Sequence, residues 1–308
     1  MISRFRGFLT ALTVLILSLG LTAPAGVQGV EAASLLTGRV PVPPVSTSPR
    51  SPGIALGQSS AGALVLMDAA SGRVLYAKNP DGRMYPASTT KIMTALLAIE
   101  KGDLDAQTRV SRKAATVGES TMWLEAGEVI SLSDLLYGLM LNSGNDAAIA
   151  IAEHVAGSER EFARLMNERA RQIGATNTRF VNPHGLHDQD HYTTARDLGL
   201  LAIEALKNPT FAHIVATRRK TVPWGEQAWS RPLWNLNRIL WSYPGADGVK
   251  NGFTDEAGRT LVASATRDGF QLVAVVLNTW DTYGEAARLL DYGFSRYKLH
   301  REAARGDI

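Results

Sequence analysis

Two kinds of apolar spacing divide the chain. Ala63 to Asp68 and Arg73 to Lys78 are short runs of β-formers around the turn Ala69-Ala70-Ser71-Gly72, and they predict a hairpin. A second pair, Arg259 to Thr266 and Phe270 to Leu277, flanks Asp268-Gly269, a dipeptide that favours a tight hairpin turn. Tyr283 to Tyr297 follows with helical spacing. Between the strand groups the spacing becomes that of helices: Leu132 to Met140, Ala147 to Val155, Glu159 to Ile173 and Thr194 to Leu206 repeat apolar residues every three or four positions. This order predicts one sheet assembled from both ends of the domain, a helical lobe inserted between them, and a site at their junction.

The ends read differently. Arg4 and Arg6 precede the mostly apolar run Phe8 to Leu21, and the small residues Ala23-Pro24-Ala25 or Ala32-Ala33 offer cleavage points, so residues 1–33 read as an export signal. That run is shorter than the roughly 20 residues of a spanning helix, which favours cleavage over a retained anchor. Residues 34–57 form a linker, rich in Pro, Ser and Thr from Val40 to Gly57. A catalytic domain is expected over 58–296 and a polar tail over 297–308, too short and mixed for a C-terminal membrane anchor. The expected location is therefore secreted or in the cell envelope.

Composition narrows the classes. The chain has no cysteine, so an exported domain of this size must rest on its core, which 45% hydrophobic residues can supply. The formal charge of +3 falls to +1 if cleavage after Ala25 removes Arg4 and Arg6, which is no nucleic-acid footprint.

Three short polar motifs carry the chemistry: Ser88-Thr89-Thr90-Lys91, Ser143-Gly144-Asn145 and Lys250-Asn251-Gly252. Tyr85-Pro86-Ala87 is extended chain leading into Ser88, and Ile92, Leu96 and Ile99 then give a helical stripe, so Ser88 opens a helix. Lys91 lies on the same helical face, about 5–6 Å away between β-carbons. To take the Ser88 proton Lys91 must be neutral, and burial beside a second cation, Lys250, pushes its pKa down. Free N–H groups at the helix start can stabilise an anion on the attacked carbonyl. Ser143-Gly144-Asn145 falls on a short loop between two apolar helices, and Lys250 is expected on an inner strand. Blander readings exist for each: Ser88 as an N-cap, Ser143 to Asn145 as a plain helix link, Asn251-Gly252 as a hairpin turn. Against the last, Thr254-Asp255-Glu256 is a better place to turn. Ser295-Arg296-Tyr297-Lys298 repeats the first spacing, but no later motif follows it.

With Asn182-Pro183-His184-Gly185-Leu186, Thr193-Thr194-Ala195-Arg196-Asp197-Leu198 and Gly248-Val249, these motifs make residues 58 to 296 resemble the serine-type D-Ala-D-Ala carboxypeptidases, the low-molecular-mass penicillin-binding proteins. The resemblance implies an α/β (α+β) fold of the β-lactamase/transpeptidase type, with a mainly antiparallel sheet flanked by helices and an inserted helical lobe. It implies catalysis by Ser88, Lys91 and Ser143, with Ser143 relaying a proton to the leaving amine. Substrate binding falls to Asn145, Lys250, Asn251, Gly252 and Phe253; the backbone N–H groups of Ser88 and Phe253 form the oxyanion hole, and Lys250 meets the terminal carboxylate. The implied partners are peptidoglycan stem peptides and, as inhibitors, β-lactams. No cofactor or metal is expected. Many relatives add a β-rich domain and a membrane-binding tail, and neither is expected here. Asn251 departs from the family pattern, which usually has Thr or Ser there.

Other features are read more plainly. His184, His187 and His191 imitate a metal cluster, but Pro183 and Gly185 break their helical spacing, so a loop held by local hydrogen bonds is expected. Trp224, Trp229, Trp234 and Trp241 are read as core or lobe-packing residues instead of sugar platforms. A β-lactamase is disfavoured by the lack of a Glu-x-x-Leu-Asn element between Ser143 and Lys250. A penicillin- or peptidoglycan-binding protein with decayed catalysis is the remaining alternative, favoured only by Asn251.

Overall fold

A computed structural model describes residues 58–225 and 229–299. The expected signal, the linker and residues 300–308 of the tail lie outside the described residues.

The central sheet is built from β1 (Ala63–Asp68), β2 (Val74–Lys78), β7 (Ala246–Thr254), β8 (Gly258–Arg267) and β9 (Phe270–Leu277). All its pairings are antiparallel, in the order β2-β1-β9-β8-β7. Both ends of the sequence thus meet in one sheet, as β1 pairs with β9. The β8–β9 turn is Asp268-Gly269, both at positive φ, the geometry that Asp-Gly tolerates and most residues do not.

Successive side chains on a strand point to opposite faces, and here both faces are covered. Val65, Met67, Val273 and Val275 join a large core with the helical lobe, whereas Leu64, Leu66, Leu272 and Val276 join a second core. That second core is closed by α8 (Ile239–Ser242) and α9 (Thr282–Arg296). Burial on both faces explains why β1 and β9 read as continuous apolar runs and not as alternation.

The inserted lobe contains α1 (Lys91–Lys101), α2 (Arg112–Ala115), α3 (Leu132–Leu141), α4 (Asn145–Ala156), α5 (Glu159–Ile173), α6 (Ala195–Leu206) and α7 (Pro209–Ala216). The starts and stops are local chemistry. The hydroxyls of Ser131, Ser158 and Thr194 accept the N–H of the residue three positions on, capping α3, α5 and α6. Gly157 and Gly174 end α4 and α5 in the left-handed region. α5 buries Phe162, Ala163, Met166 and Ala170 on one stripe, the spacing that made it legible.

Two small two-stranded sheets lie outside the main sheet: β3 (Gln107–Arg109) with β4 (Val129–Ser131), and the hairpin of β5 (Arg219–Pro223) with β6 (Ser230–Trp234). The second is fixed to the lobe by Arg231, fully buried, whose guanidinium donates to Glu128 and to the Trp123 carbonyl. Removing one partner of such a pair costs about 3–5 kcal/mol because a buried charge is stranded.

Two expectations need correction here. β7, which carries Lys250, is an edge strand and not an inner one; the lobe packs against it, and Lys250 is nonetheless fully buried. Of the tryptophans, Trp229, Trp234 and Trp241 are 62%, 49% and 42% exposed, so they are not core residues. The hairpin buries only alternate residues, Val222, Arg231 and Leu233, and leaves Trp234 on its open face. No helix among the described residues is long and apolar enough to cross a membrane.

Candidate active site

Ser88 lies in a single 3-10 turn, Ala87–Thr90, that runs directly into α1. Its side chain caps nothing, which removes the N-cap reading. The residue before it, Ala87, is at φ +49°, a conformation that costs an L-residue energy and is held by its surroundings. Those surroundings are tight. A β-carbon on Gly185 would sit 1.9 Å from the Ala87 carbonyl oxygen, and one on Gly252 would sit 2.7 Å from the Ser88 nitrogen. Both glycines are therefore demanded by close approach of backbone to the turn.

Lys91 follows one helical turn later and is fully buried. Its Nζ lies 3.1 Å from Ser88 Oγ, 2.8 Å from Asn145 Oδ1 and 2.7 Å from the His184 carbonyl oxygen. The last two atoms can only accept, so they take two amine protons. Ser88 Oγ is the one partner that can also donate, so in a neutral Lys91 the lone pair is aimed at the serine proton. Burial, and after it the charge of Lys250, hold the Lys91 pKa well below the usual lysine range; Asp146 and Glu119 oppose the shift. A neutral amine is the state a general base requires.

The second motif follows α3. Ser143 is buried at φ +61° and Asn145 is the first residue of α4. Asn145 is occupied at both ends, its Oδ1 by Lys91 and its Nδ2 by the Gly118 carbonyl at 3.2 Å, which leaves one amide proton free for a substrate. Ser143 lies two residues before Asn145, between α3 and α4, without a hydrogen bond from its hydroxyl to any other described residue. Asp146 ties the 122–124 segment to the start of α4 by accepting from the N–H groups of Met122 and Leu124.

β7 supplies the third motif. Lys250 Nζ donates to the Asn251 carbonyl at 2.9 Å and to Asn251 Oδ1 at 3.3 Å. Burial lowers its pKa to about 7. The strand runs straight through Asn251-Gly252 in register with Leu261 and Thr260, so no turn forms there; the chain reverses after Thr254, whose hydroxyl accepts from Ala257 N–H. An edge strand has unpaired backbone groups. Gly252 lets that edge reach the Ser88 nitrogen, with Phe253 next along it.

His184 enters the site through its backbone, which the reading of side-chain types did not find. Its ring Nδ1 accepts from Leu186 N–H, and Asn182 Oδ1 accepts from Gly185 N–H, buckling the loop toward Lys91. His191 Nδ1 accepts from Val181 N–H, which leaves Nε2 to donate to Thr90 Oγ1 at 2.8 Å. Burial lowers its pKa to about 3, so it stays neutral. His187 packs edge-on against Tyr85. The histidine loop is thus held by local hydrogen bonds and also by distant contacts to Tyr85, Thr90 and Lys91, and no group of three or more His, Cys, Asp or Glu among the described residues could hold a metal ion. Ser295 of the decoy motif lies near the end of α9 with its hydroxyl on the Tyr292 carbonyl.

The chain that carries this site is similar to known proteins in sequence and in fold. The D-alanyl-D-alanine carboxypeptidase family model of the Peptidase_S11 group matches residues 46–281. The carboxypeptidase DacF of Bacillus subtilis is 39% identical over 246 residues, 77% of this chain and 62% of its own. DacC of Escherichia coli K12 is 39% identical over 247 residues, 75% of this chain and 60% of its own. The chain therefore spans about three-fifths of the length of these relatives. Among solved structures, a Streptomyces K15 DD-transpeptidase mutant superposes with a TM-score of 0.72 at 34% identity, covering 76% of this chain and 98% of that one. A D-alanyl-D-alanine carboxypeptidase from Mycobacterium tuberculosis H37Rv gives 0.73 at 31% identity, covering 77% and 92%. By the reach of the family match and by the identity of these relatives, the chain belongs to the D-alanyl-D-alanine carboxypeptidase family.

Proposed function

We propose that this protein is a serine D-Ala-D-Ala carboxypeptidase that removes the terminal D-alanine from peptidoglycan stem peptides, and that penicillins acylate the same serine. The observation that carries the reading is the environment of Lys91, a buried amine with two pure acceptors and the Ser88 hydroxyl as its third partner.

Ser88 Oγ attacks the carbonyl carbon of the penultimate D-alanine while its proton passes to neutral Lys91. The backbone N–H groups of Ser88 and Phe253 hold the oxyanion, a contribution of about 3–4 kcal/mol for one such donor. The peptide C–N bond then breaks, and the leaving D-alanine nitrogen takes the proton from Lys91 through Ser143. Water cleaves the resulting ester, giving the shortened peptide and free Ser88. Lys250 in its charged form meets the terminal carboxylate, and Asn251, through its amide, donates where a hydroxyl is usual in the family. Asn145 uses its free amide proton on the substrate backbone. The reaction needs no cofactor. Export by the amino-terminal segment belongs to the same proposal, because the substrate lies outside the cytoplasm.

The test is release of D-alanine from a D-Ala-D-Ala pentapeptide by purified protein, with Ser88→Ala beside it. Release by wild type and none by the variant is the expected result. No release by wild type, with penicillin still bound, would favour a receptor whose catalysis has decayed.

A further inference from the structure

The outer face of the β5–β6 hairpin carries a stack that the reaction above does not use. Arg219 pairs across the hairpin with Trp234, its guanidinium 4.1 Å from the indole centroid and 5.6 Å from that of Trp241. Arg218 lies 5.1 Å from the Trp241 ring and is steadied by the Leu240 carbonyl. Neither arginine pairs with a carboxylate among the described residues. Both indoles keep two-fifths or more of their surface exposed, and Leu236 beside them is also exposed. Large aromatics left open in one patch are unusual for a surface without a partner.

This face is continuous with the cleft. Trp234 N–H donates to Asn142 Oδ1, and Leu236 N–H donates to the Leu141 carbonyl; Ser143 directly follows Asn142 in the chain. The two strands also carry Pro223 and Pro232, which lack the N–H that a peptide adding as a further strand would need. Strand addition along either edge of the hairpin is thereby hindered, and the face itself offers side chains.

We propose that this hairpin face is a second substrate-contact surface, which holds the carbohydrate strand of a polymeric substrate while the peptide it carries enters the Ser88 cleft. The inference rests on the function proposed above. Sugar rings present flat C–H faces that stack on indoles, and the hydroxyl, ether and amide oxygens of acetamido sugars can accept from the guanidinium N–H groups of Arg218 and Arg219. The polar residues Thr221 and Ser230 on the same face interrupt the apolar area that a membrane-embedded surface would need.

The test compares one enzyme on two substrates. Trp241→Ala and Arg219→Gln should release D-alanine from a soluble pentapeptide, and react with penicillin, within about twofold of wild type. On intact sacculi their kcat/KM should fall about tenfold, and their co-sedimentation with peptide-free glycan strands should weaken by a similar factor, as expected when one anchor of a contact surface is removed. Equal loss on both substrates, or no loss on sacculi, would overturn the proposal. Loss of binding to phosphatidylglycerol vesicles with sacculus binding intact would make the face a membrane contact instead, and loss of a concentration-dependent dimer would make it a contact between copies. If wild type released no D-alanine from the soluble peptide, the proposed reaction would fail, while glycan sedimentation would still report on this surface.

Discussion

The two buried lysines of the cleft share a charge and differ in everything that holds it. Lys91 is gripped by three elements: the 3-10 turn through Ser88, α4 through Asn145 and the 182–186 loop through His184. Lys250 is bonded to its own neighbour, Asn251, and to no other described residue. Burial lowers the pKa of both, but only Lys91 carries the further effect of a neighbouring cation. The difference teaches how one cleft can use the same side chain twice. In the proposed reaction the amine with fixed acceptors serves as the base, and the amine with a spare donor meets the incoming anion.

Removing the base should have the largest effect. Lys91→Ala should lower acylation by penicillin about 10²–10⁴-fold, the range for a positioned general base, with stopped-flow labelling as the measurement. If Lys250→Ala cost more than Lys91→Ala, the roles assigned to the two amines would be reversed.

Next comes the close approach of β7. Gly252→Ala puts a β-carbon 2.7 Å from the Ser88 nitrogen and 2.6 Å from Thr260 Oγ1, so the strand must retreat from the turn. Acylation should fall about 10²-fold, as for a displacement of about 1 Å at a reacting centre. Thermal denaturation alongside separates this from general unfolding. A normal acylation rate would show that the edge of β7 is not part of the oxyanion site.

The departure at Asn251 has a smaller, graded signature. Asn251→Ala should cost roughly ten- to a hundred-fold in kcat/KM, as for one charge-assisted hydrogen bond, and Asn251→Thr should keep or raise the wild-type value. Equal rates for Ala and Asn would mean that the side chain takes no part.

The smallest effect is the pH dependence, and its sign follows from the lowered pKa of Lys250. Carboxylate binding needs the charged amine, which is the protonated form present below about pH 7 in the free enzyme. Thus kcat/KM should fall as pH rises through about 7, while kcat, measured with the carboxylate bound, should hold to higher pH because the anion retains the proton. A substrate ending in an amide should lack this limb. If it shows the same limb, Lys250 is not the carboxylate partner.

Legibility in the sequence followed physical scale. The helices α3 to α6 and the β8–β9 hairpin were readable because long apolar stripes and Asp268-Gly269 act locally. The strands β3 and β4 were not, since three residues carry no period. The edge position of β7 and the open face at Trp234 depend on which neighbours the fold supplies, and composition does not record that. Ser88, Lys91, Asn145 and Lys250 stood out by residue type. His184 did not, because it acts on Lys91 through a carbonyl that every residue possesses, and its position is set by Asn182 and Gly185.

The central claim is that Ser88, and no other hydroxyl, is the nucleophile served by Lys91. Fluorescent penicillin labelling followed by mass mapping of the modified peptide tests it most directly. Wild type and Ser295→Ala should both carry one adduct, on Ser88, and Ser88→Ala should carry none. An adduct on Ser88→Ala, or one mapped to Ser143 in wild type, would contradict the account.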